Sequence, residues 1–311
     1  MTNDSAVLAE NASLVVVGKK RVLELMIVAL LAEGHVLLED VPGLGKTLMA
    51  KALAKSMGGI FRRIQFTPDL LPTDVTGFSV YDQKTGEFVF RPGPVFCNVL
   101  LADEINRTIP RTQASLLESM GEFQVTVDGK TSILPRPFFV IATQNPIDMD
   151  GTFPLPEAQL DRFLMRIDLG YPSREEEISI LERFQEDDPL ENLSPVLSPE
   201  RICALQKERA SITISPEVRA YIADIAAATR AHTRVHFGVS PRGALGMMRA
   251  AQSLASLRGR DFVTPDDIKD LAKPVLLHRI ILKKEERTRG AAVADILAEV
   301  LEKVPVPVSR S

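Results

Sequence analysis

The sequence is poor in cysteine: two residues in 311, Cys97 and Cys203, far apart along the chain. Two thiols exclude a disulfide scaffold and offer no zinc-binding spacing. Cys97 sits in an apolar strand-like run and Cys203 on an apolar helical face, so both read as buried free thiols in a reducing compartment. Long apolar runs are missing as well. The longest near the N-terminus, Met26 to Ala32, is far too short to span a bilayer. Met1-Thr2-Asn3-Asp4 lacks the basic-then-apolar order of a secretory signal. A cytoplasmic protein without stable membrane insertion is the expectation. There is also no excess of positive charge. The formal net charge is −4, so the field of the whole molecule draws in neither nucleic acid nor an anionic membrane. What is present is an ordinary soluble composition, 45% hydrophobic and 25% charged, in a chain long enough for two domains. No internal repeat is evident.

The first half of the chain alternates apolar strands with helices. Leu23, Met26, Ile27, Leu30 and Leu31 recur at helical spacing within residues 19–33, and Gly34 ends that helix. Val36-Leu37-Leu38 reads as a buried strand and Leu48 to Met57 as a helix stopped by Gly58-Gly59. Further strands are expected over Ile60 to Phe66, Phe96 to Ala102, Phe138 to Ala142 and Met165 to Leu169, with a helix over Thr112 to Glu122. The Pro/Gly-rich region Pro68 to Pro94 contains one β-hairpin signal, Phe78 to Tyr81 and Glu87 to Phe90. A second hairpin, Phe123 to Val127 and Thr131 to Leu134, turns at Asp128-Gly129. Alternation of this kind predicts a mostly parallel sheet covered on both faces. After Tyr171-Pro172 the chain reads as helical: Glu175 to Phe184, then an acidic linker over Gln185 to Pro199. Helices opened by Ser215-Pro216, Ser240-Pro241 and Thr264-Pro265 follow. A last helix, Glu285 to Val300, has Gly290 as a break point. The domain boundary is placed near residue 190.

The densest signal is Glu39-Asp40-Val41-Pro42-Gly43-Leu44-Gly45-Lys46-Thr47, between a strand and a helix. A strand, a glycine-turned loop ending in Lys-Thr and a helix form a triphosphate cradle. Glycines let backbone N–H groups turn toward phosphate oxygens, and the helix N-terminus adds partial positive charge. Lys46 then reaches the β and γ phosphates and the Thr47 hydroxyl holds Mg²⁺. The strict pattern wants glycine where Asp40 stands. A second motif, Asn98 to Glu104, delivers two acids to a strand's C-terminal end, where ligands bind in open α/β folds. Asp103 suits Mg²⁺ through its water shell, and Glu104 suits polarising the attacking water. The strand ending at Ala142-Thr143-Gln144-Asn145-Pro146 offers Asn145 either to the γ phosphate or as a turn cap. Arg162 and Arg166 are either cations for a transferring phosphoryl group or partners in surface ion pairs. Arg242 lies in the first turn of a helix, where a cation gains nothing from the helix dipole, which suggests an anionic target.

Five segments occur in order: Val-Pro-Gly-Leu-Gly-Lys-Thr (41–47), Leu-Leu-Ala-Asp-Glu-Ile-Asn-Arg (100–107), Ala-Thr-Gln-Asn-Pro (142–146), Gly-Thr-Phe-Pro-Leu-Pro-Glu-Ala-Gln-Leu-Asp-Arg-Phe (151–163) and Val-Ser-Pro-Arg-Gly (239–243). Together, over about residues 10–290, they closely resemble the MoxR family of AAA+ ATPases. The resemblance implies an AAA+ α/β nucleotide-binding domain over 1–190, with a parallel sheet and hairpin insertions near 76–92 and 123–135. A small all-helical lid over 191–311 follows, with ATP between the two. It implies nucleotide contacts from Val17 and Gly18, where the base lies, and from Asp40, Pro42, Gly43, Leu44, Gly45, Lys46, Thr47, Leu48 and Asp103, with Mg²⁺ held by Thr47 and Asp103. Glu104 matches the catalytic glutamate, Asn145 sensor 1 and Arg242 the sensor 2 arginine. Arg162 is the first candidate for an arginine finger reaching a neighbour's ATP, and Arg166 the second. Lys19 stands where many relatives have glutamine. Asp40 matches a family tendency toward an acidic or small residue. A ring, most often a hexamer, is implied, with a separate von Willebrand factor A domain protein and a client enzyme as partners.

The function so implied is ATP hydrolysis driving chaperone-like remodelling or activation of a client, including insertion of a metal or cofactor. Three alternatives are a nucleic-acid motor, a chelatase-type motor subunit and a non-hydrolysing switch. Against the first stand the net charge and the two hairpins, where Lys84 and Lys130 face Asp82, Glu87 and Asp128. Arg230, Arg234, Arg242, Arg249, Arg258 and Arg260 make the lid locally basic, and the expectation is that they serve ATP and subunit contacts. The Thr152 to Gln159 stretch favours MoxR over the chelatases. A pure switch has no need of Glu104, Asn145, Arg162 and Arg242 together.

Overall fold

The computed structural model describes residues 3–39, 43–145, 151–185, 188–288 and 291–307. Eleven strands and thirteen α-helices run along it. The strands are β1 (Val36–Glu39), β2 (Phe61–Gln65), β3 (Gly77–Asp82), β4 (Glu87–Pro92), β5 (Val99–Asp103), β6 (Gln124–Val127), β7 (Lys130–Ile133), β8 (Phe139–Gln144), β9 (Met165–Asp168), β10 (Val235–Phe237) and β11 (Ile281–Leu282). The helices are α1 (Asp4–Ser13), α2 (Lys20–Leu31), α3 (Lys46–Ser56), α4 (Pro72–Thr76), α5 (Pro110–Glu122), α6 (Glu157–Leu160), α7 (Arg174–Arg183), α8 (Pro199–Glu208), α9 (Pro216–Ala231), α10 (Pro241–Leu257), α11 (Pro265–Leu276), α12 (Lys284–Thr288) and α13 (Val293–Lys303).

Five strands form one parallel sheet in the order β2-β5-β8-β1-β9. Its central strands β5, β8 and β1 are apolar on both sides, as a doubly covered sheet requires. Leu37, Leu100, Val140 and Ala142 face one apolar cluster with Leu116, Leu117 and Met120 of α5. Val36, Leu38, Val99, Leu101 and Ile141 face the other, with α2, α3 and the helices beyond residue 200. That second cluster is continuous: residues of α1 and α2 share it with α9, α10, α11 and α13. The helical region therefore packs on the sheet's α2 side rather than forming a core of its own. The two expected hairpins are present as β3–β4 and β6–β7, the latter turning through Asp128 and Gly129, both at positive φ. Such a pair suits a two-residue hairpin turn.

Several expectations need correction. Helix α1 was not anticipated; its buried side is only Ser5, Leu8 and Ala12, too small a stripe to show as a period. The strand expected from Phe96 begins at Val99. Phe96 and Cys97 instead form tight turns back to Gly93 and Val95, and the buried Asn98 side chain links Ile60 N–H to the Pro137 carbonyl. The Pro68 to Pro94 region contains α4 as well as a hairpin. Cys97 is buried, and burial pushes its thiol pKa up to about 12. Cys203 is only half-buried. The buried face of α8 is Ile202, Leu205 and Gln206, and Cys203 lies about 100° round the helix from Ile202.

Candidate active site

Gly43, Leu44 and Gly45 lead from β1 into α3, which begins at Lys46. Asp40 and Pro42, two of the expected nucleotide contacts, lie outside the described residues. Gly43 and Gly45 have φ of 89° and 80°, and a Cβ added to either would meet no atom within 4 Å. The concave side of the loop is thus open, with a backbone that L side chains resist. Gly45 is the N-cap of α3 and has no side chain to satisfy the first N–H groups of that helix. An open, uncapped helix start with Lys46 and Thr47 in its first turn fits a phosphate chain. Leu44 and Leu48 pack against the core and anchor the loop.

The acids expected at the end of β5 are held by residues from both neighbouring strands. Thr143, buried on β8, donates its hydroxyl to Asp103 Oδ1 at 2.6 Å and accepts the Glu104 N–H at 2.8 Å. Arg63 of β2 donates to Asp103 Oδ2 at 2.7 Å. Gln65, at the end of β2, donates from Nε2 to Glu104 Oε2 at 2.8 Å, and Arg107 reaches the same oxygen at 3.2 Å. Glu104 itself sits at φ 56°, ψ 50°, a left-handed conformation that non-glycine residues adopt only when the surroundings impose it. Asn145 follows β8 directly, on the same edge, and its carbonyl accepts from Asn106 Nδ2 at 3.5 Å. Loop, acids, Gln65 and Asn145 therefore share the C-terminal edge of the sheet, where α/β folds bind ligands. Thr47 and Asp103 offer hard oxygen donors of the type Mg²⁺ takes. Both Asp103 oxygens already have partners, which suits contact through water. Among the described residues no cluster of three or more His, Cys, Asp or Glu could hold a metal.

Beside the loop lies a cavity of about 160 Å³. Val15, Val16, Val17 and Lys19 form one wall, Leu48 and Met49 with the loop a second, and Pro172, Ile180 and Phe184 a third. Its lining is mostly apolar, of the kind a nucleobase packs against. Val17 lines it as expected. Gly18 has a different part: at φ 72° it gives way to the Glu176 side chain, which occupies the place a Cβ would take. Glu176 is fixed there by its capping box with Ser173 at the start of α7. Lys19 does not address the slot with its ammonium. Its Nζ donates to the carbonyls of Leu169 at 3.0 Å, Gly170 at 2.9 Å and Tyr171 at 3.2 Å, tying the two walls together. The described residues that line the slot end at Phe184. The lid helices are drawn to the apolar face of α2. A larger cavity, about 550 Å³, lies between the two hairpins and away from the loop.

The arginines separate into two groups. Arg166, on β9, pairs with Glu39 of β1 at 2.6 Å within its own chain. Burial pushes the Glu39 pKa up against the pull of Arg166. Arg162 is exposed and donates from Nη1 to the Leu117 carbonyl of α5 at 2.6 Å. It precedes β9, and Leu164 N–H bonds to the carbonyl of His35, the residue before β1. Arg162 therefore lies at the N-terminal edge of the sheet, opposite the glycine loop. Four residues of β1 separate the two edges, about 13 Å at the rise of a strand. Arg242 sits one residue inside α10, exposed, with no hydrogen bond or ion pair to a described residue. The other basic lid residues are mostly engaged internally, contrary to expectation. Arg258 and Arg260 pair with Asp267, Arg234 with Glu299, and Arg230 donates to the Val239 carbonyl. Acidic residues in α11 and α13 take up that charge.

Thr143 and Gln65 were missed as functional residues. Each is a polar side chain at the C-terminal end of a sheet strand, and that position alone was the available signal.

Comparison with known proteins agrees with this geometry. Residues 35–165 match the ATPase family associated with various cellular activities (AAA), and residues 227–300 match the AAA lid domain. The chain is 53% identical to the protein YeaC of Bacillus subtilis, over 97% of this chain and 94% of that one. It is 43% identical to chaperone MoxR1 of Mycobacterium tuberculosis, over 94% and 80% of the two chains. It is 34% identical to protein MoxR of Methylorubrum extorquens, over 94% and 92%. The crystal structure of a candidate ATPase from Cytophaga hutchinsonii superposes with a TM-score of 0.92 at 39% identity, covering 98% of this chain and 96% of that one. On these matches, which span most of the chain and of its relatives, the chain belongs to the MoxR family of AAA+ ATPases.

Proposed function

We propose that the protein hydrolyses ATP at sites shared between adjacent subunits of a ring, most simply a hexamer, and uses the cycle to remodel or activate a client protein. The observation that carries this reading is the separation of the two halves of the site. The glycine loop, Asp103, Glu104 and Asn145 stand at one edge of the sheet. Arg162 stands at the other, and no described residue from Arg242's part of the chain lines the nucleotide slot. A subunit folded this way engages Arg63 and Arg107 with its own two acids and leaves Arg162 and Arg242 exposed, in reach of a neighbour's triphosphate.

In this reading Mg²⁺–ATP supplies the phosphoryl group that is transferred. Lys46, Thr47 and the α3 N-terminus hold the phosphate chain, and Val15 to Val17 and Phe184 enclose the base. Glu104 takes a proton from the attacking water at its free carboxylate oxygen, while Gln65 and Arg107 hold the other. Asn145 orients that water or the γ phosphate. Arg162 and Arg242 of the next subunit offset the charge of the transition state. The chain divides functionally near residue 190 into a nucleotide-binding part and a lid. The exposed hairpins β3–β4 and β6–β7 face the client, and a separate von Willebrand factor A protein works alongside. Metal or cofactor insertion is the task that fits the family. The internal pairing of the lid arginines speaks against a nucleic-acid track. Among the described residues no helix is long and apolar enough to cross a membrane, and we place the protein in the cytoplasm.

Glu104→Gln should bind ATP and lose turnover. Arg162→Ala and Lys46→Ala should each be inactive alone, and mixed together should regain activity at the sites built from two intact halves. Failure of every mixing ratio to restore turnover would remove the shared site from the reading.

A further inference from the structure

A buried arginine in the lid joins the two outward-facing cations. Arg279 ends the short 3₁₀ turn Leu277–Arg279 after α11 and is 7% exposed. A guanidinium has five N–H groups, and here each finds an acceptor. Nε donates to Asp161 Oδ1 at 2.7 Å. Nη1 donates to the carbonyls of Leu164, at 3.1 Å, and Val275. Nη2 donates to the carbonyls of Phe163, at 2.7 Å, and Asp161, at 3.3 Å. The backbone on both sides of Arg162 is thus gripped by one side chain, and His278 Nε2 adds a further bond to the Phe163 carbonyl at 3.1 Å.

The same cluster reaches Arg242. Asp161 Oδ2 accepts from the Ser240 hydroxyl at 3.3 Å. Ser240 is the N-cap of α10, its hydroxyl accepting the Gly243 N–H at 3.1 Å. Gly243 lies against Arg279 so closely that a Cβ there would come within 2.7 Å of its Cδ, which accounts for a glycine in the first turn of a helix. Arg242 lies between Ser240 and Gly243 in sequence. Burial lowers the Arg279 pKa, Asp161 opposes that, and the positive charge of Arg242 adds to the lowering, so Arg242 acts on Arg279 electrostatically.

We propose that Arg279 is a positioning residue: together with Asp161 and Ser240 it locks the Arg162 segment to the start of α10, so that Arg162 and Arg242 are presented to a neighbouring subunit's triphosphate as one unit. This rests on the shared-site reading above. Stability alone is a poor reason for such a cluster, since a buried ion pair can be replaced by well-packed apolar groups at little or no loss. Apolar groups, however, cannot fix the carbonyls of Asp161, Phe163 and Leu164 and a helix cap at the same time. A donor arginine displaced by about 1 Å loses on the order of 100-fold in rate.

The test uses the full chain carrying Arg279→Lys, Asp161→Asn or Ser240→Ala, with Arg162→Ala and Arg242→Ala as references. Turnover, affinity for a fluorescent ATP analogue, and rescue by Lys46→Ala subunits are measured. A lysine cannot serve five acceptors, so Arg279→Lys should lose about 100-fold in kcat and keep nucleotide affinity within about twofold, because its own loop is untouched. Mixing with Lys46→Ala, whose donor side is intact, should restore its turnover. Asp161→Asn and Ser240→Ala should lose about 5- to 10-fold, from weaker charge-assisted and cap bonds. If Arg279→Lys does not fold, these two milder variants decide. Wild-type kcat in the folded variants, or loss of affinity and kcat together without rescue, would overturn the positioning role. Wild-type kcat in Arg162→Ala and Arg242→Ala would instead overturn the shared-site reading on which it rests.

Discussion

Replacing Thr143 by valine keeps the shape of a buried β-branched side chain and removes one hydroxyl. That hydroxyl bridges the two acids directly: it donates to Asp103 Oδ1 at 2.6 Å and accepts the Glu104 N–H at 2.8 Å. A hydrogen bond to a charged group contributes about 1.5–3 kcal/mol, and a buried donor left without a partner costs a comparable amount. Glu104 also holds a left-handed backbone, which costs of order 1–3 kcal/mol and persists only where the surroundings impose it. Once its N–H is released, part of that strain relaxes by moving the carboxylate. Two outcomes follow in opposite directions. The lost bonds lower global stability, and the relaxed strain returns some of it, leaving a net loss of about 1–2 kcal/mol. At roughly 2 °C per kcal/mol for a chain of this length the melting midpoint falls by about 2–4 °C. Turnover suffers more, by about 100-fold, because a base shifted by about 1 Å loses that much. Steady-state ATPase assays and calorimetry on Thr143→Val, with Thr143→Ser as the control that restores the hydroxyl, measure both. A Thr143→Val protein whose kcat stays within twofold of wild type would refute the idea that Thr143 positions the acids.

Three further outcomes are expected. His35 is fully buried, and burial lowers its pKa from 6.5 to about 4; its stabilising contribution is complete above pH 6.5 and lost as pH falls toward 4, about 3 kcal/mol in all. Buried His278 shifts in the same direction, so urea midpoints should fall between pH 7 and 5, and a midpoint that rose on acidification would contradict the assignment. Lys19→Met should weaken nucleotide binding about fivefold, since three carbonyls at the wall of the base slot lose a charged donor; unchanged affinity in a fluorescence titration would show that the wall stands without it. Gly45→Ala should abolish triphosphate binding and lower the melting point by about 2–4 °C, because its Cβ enters the open cradle and strains a backbone at positive φ; isothermal titration with ATP and calorimetry of the variant measure the two.

What was legible in the sequence was whatever is encoded locally. Both hairpins and the helix caps Ser215, Ser240 and Thr264 each depend on residues a few positions apart, and each formed as expected; the glycine loop and the Asp103–Glu104 pair were read from equally local patterns. The roles of Thr143, Gln65 and Arg279 were not legible. Each depends on a partner about forty to over a hundred residues away, and nothing in a threonine, glutamine or arginine reveals which strand end or loop it will meet. Lys19 shows the same limit: standing where many relatives have glutamine, it gave no sign of its partners, and its ammonium bonds to residues 169–171. The local basicity of the lid misled for a related reason, because Asp267 and Glu299, which absorb it, are distant in sequence from some of the arginines they hold.

The placement of the glycine loop and Arg162 on opposite edges of one sheet also sets a rule for regulation. A molecule with its socket at one end and its plug at the other cannot short-circuit. On the shared-site proposal, an isolated subunit idles with ATP in place, and dilution becomes an off-switch requiring no inhibitor. Specific activity should fall on dilution more steeply than nucleotide occupancy does. A specific activity that held constant into the range where sedimentation shows only monomers would mean the chain can close its own circuit.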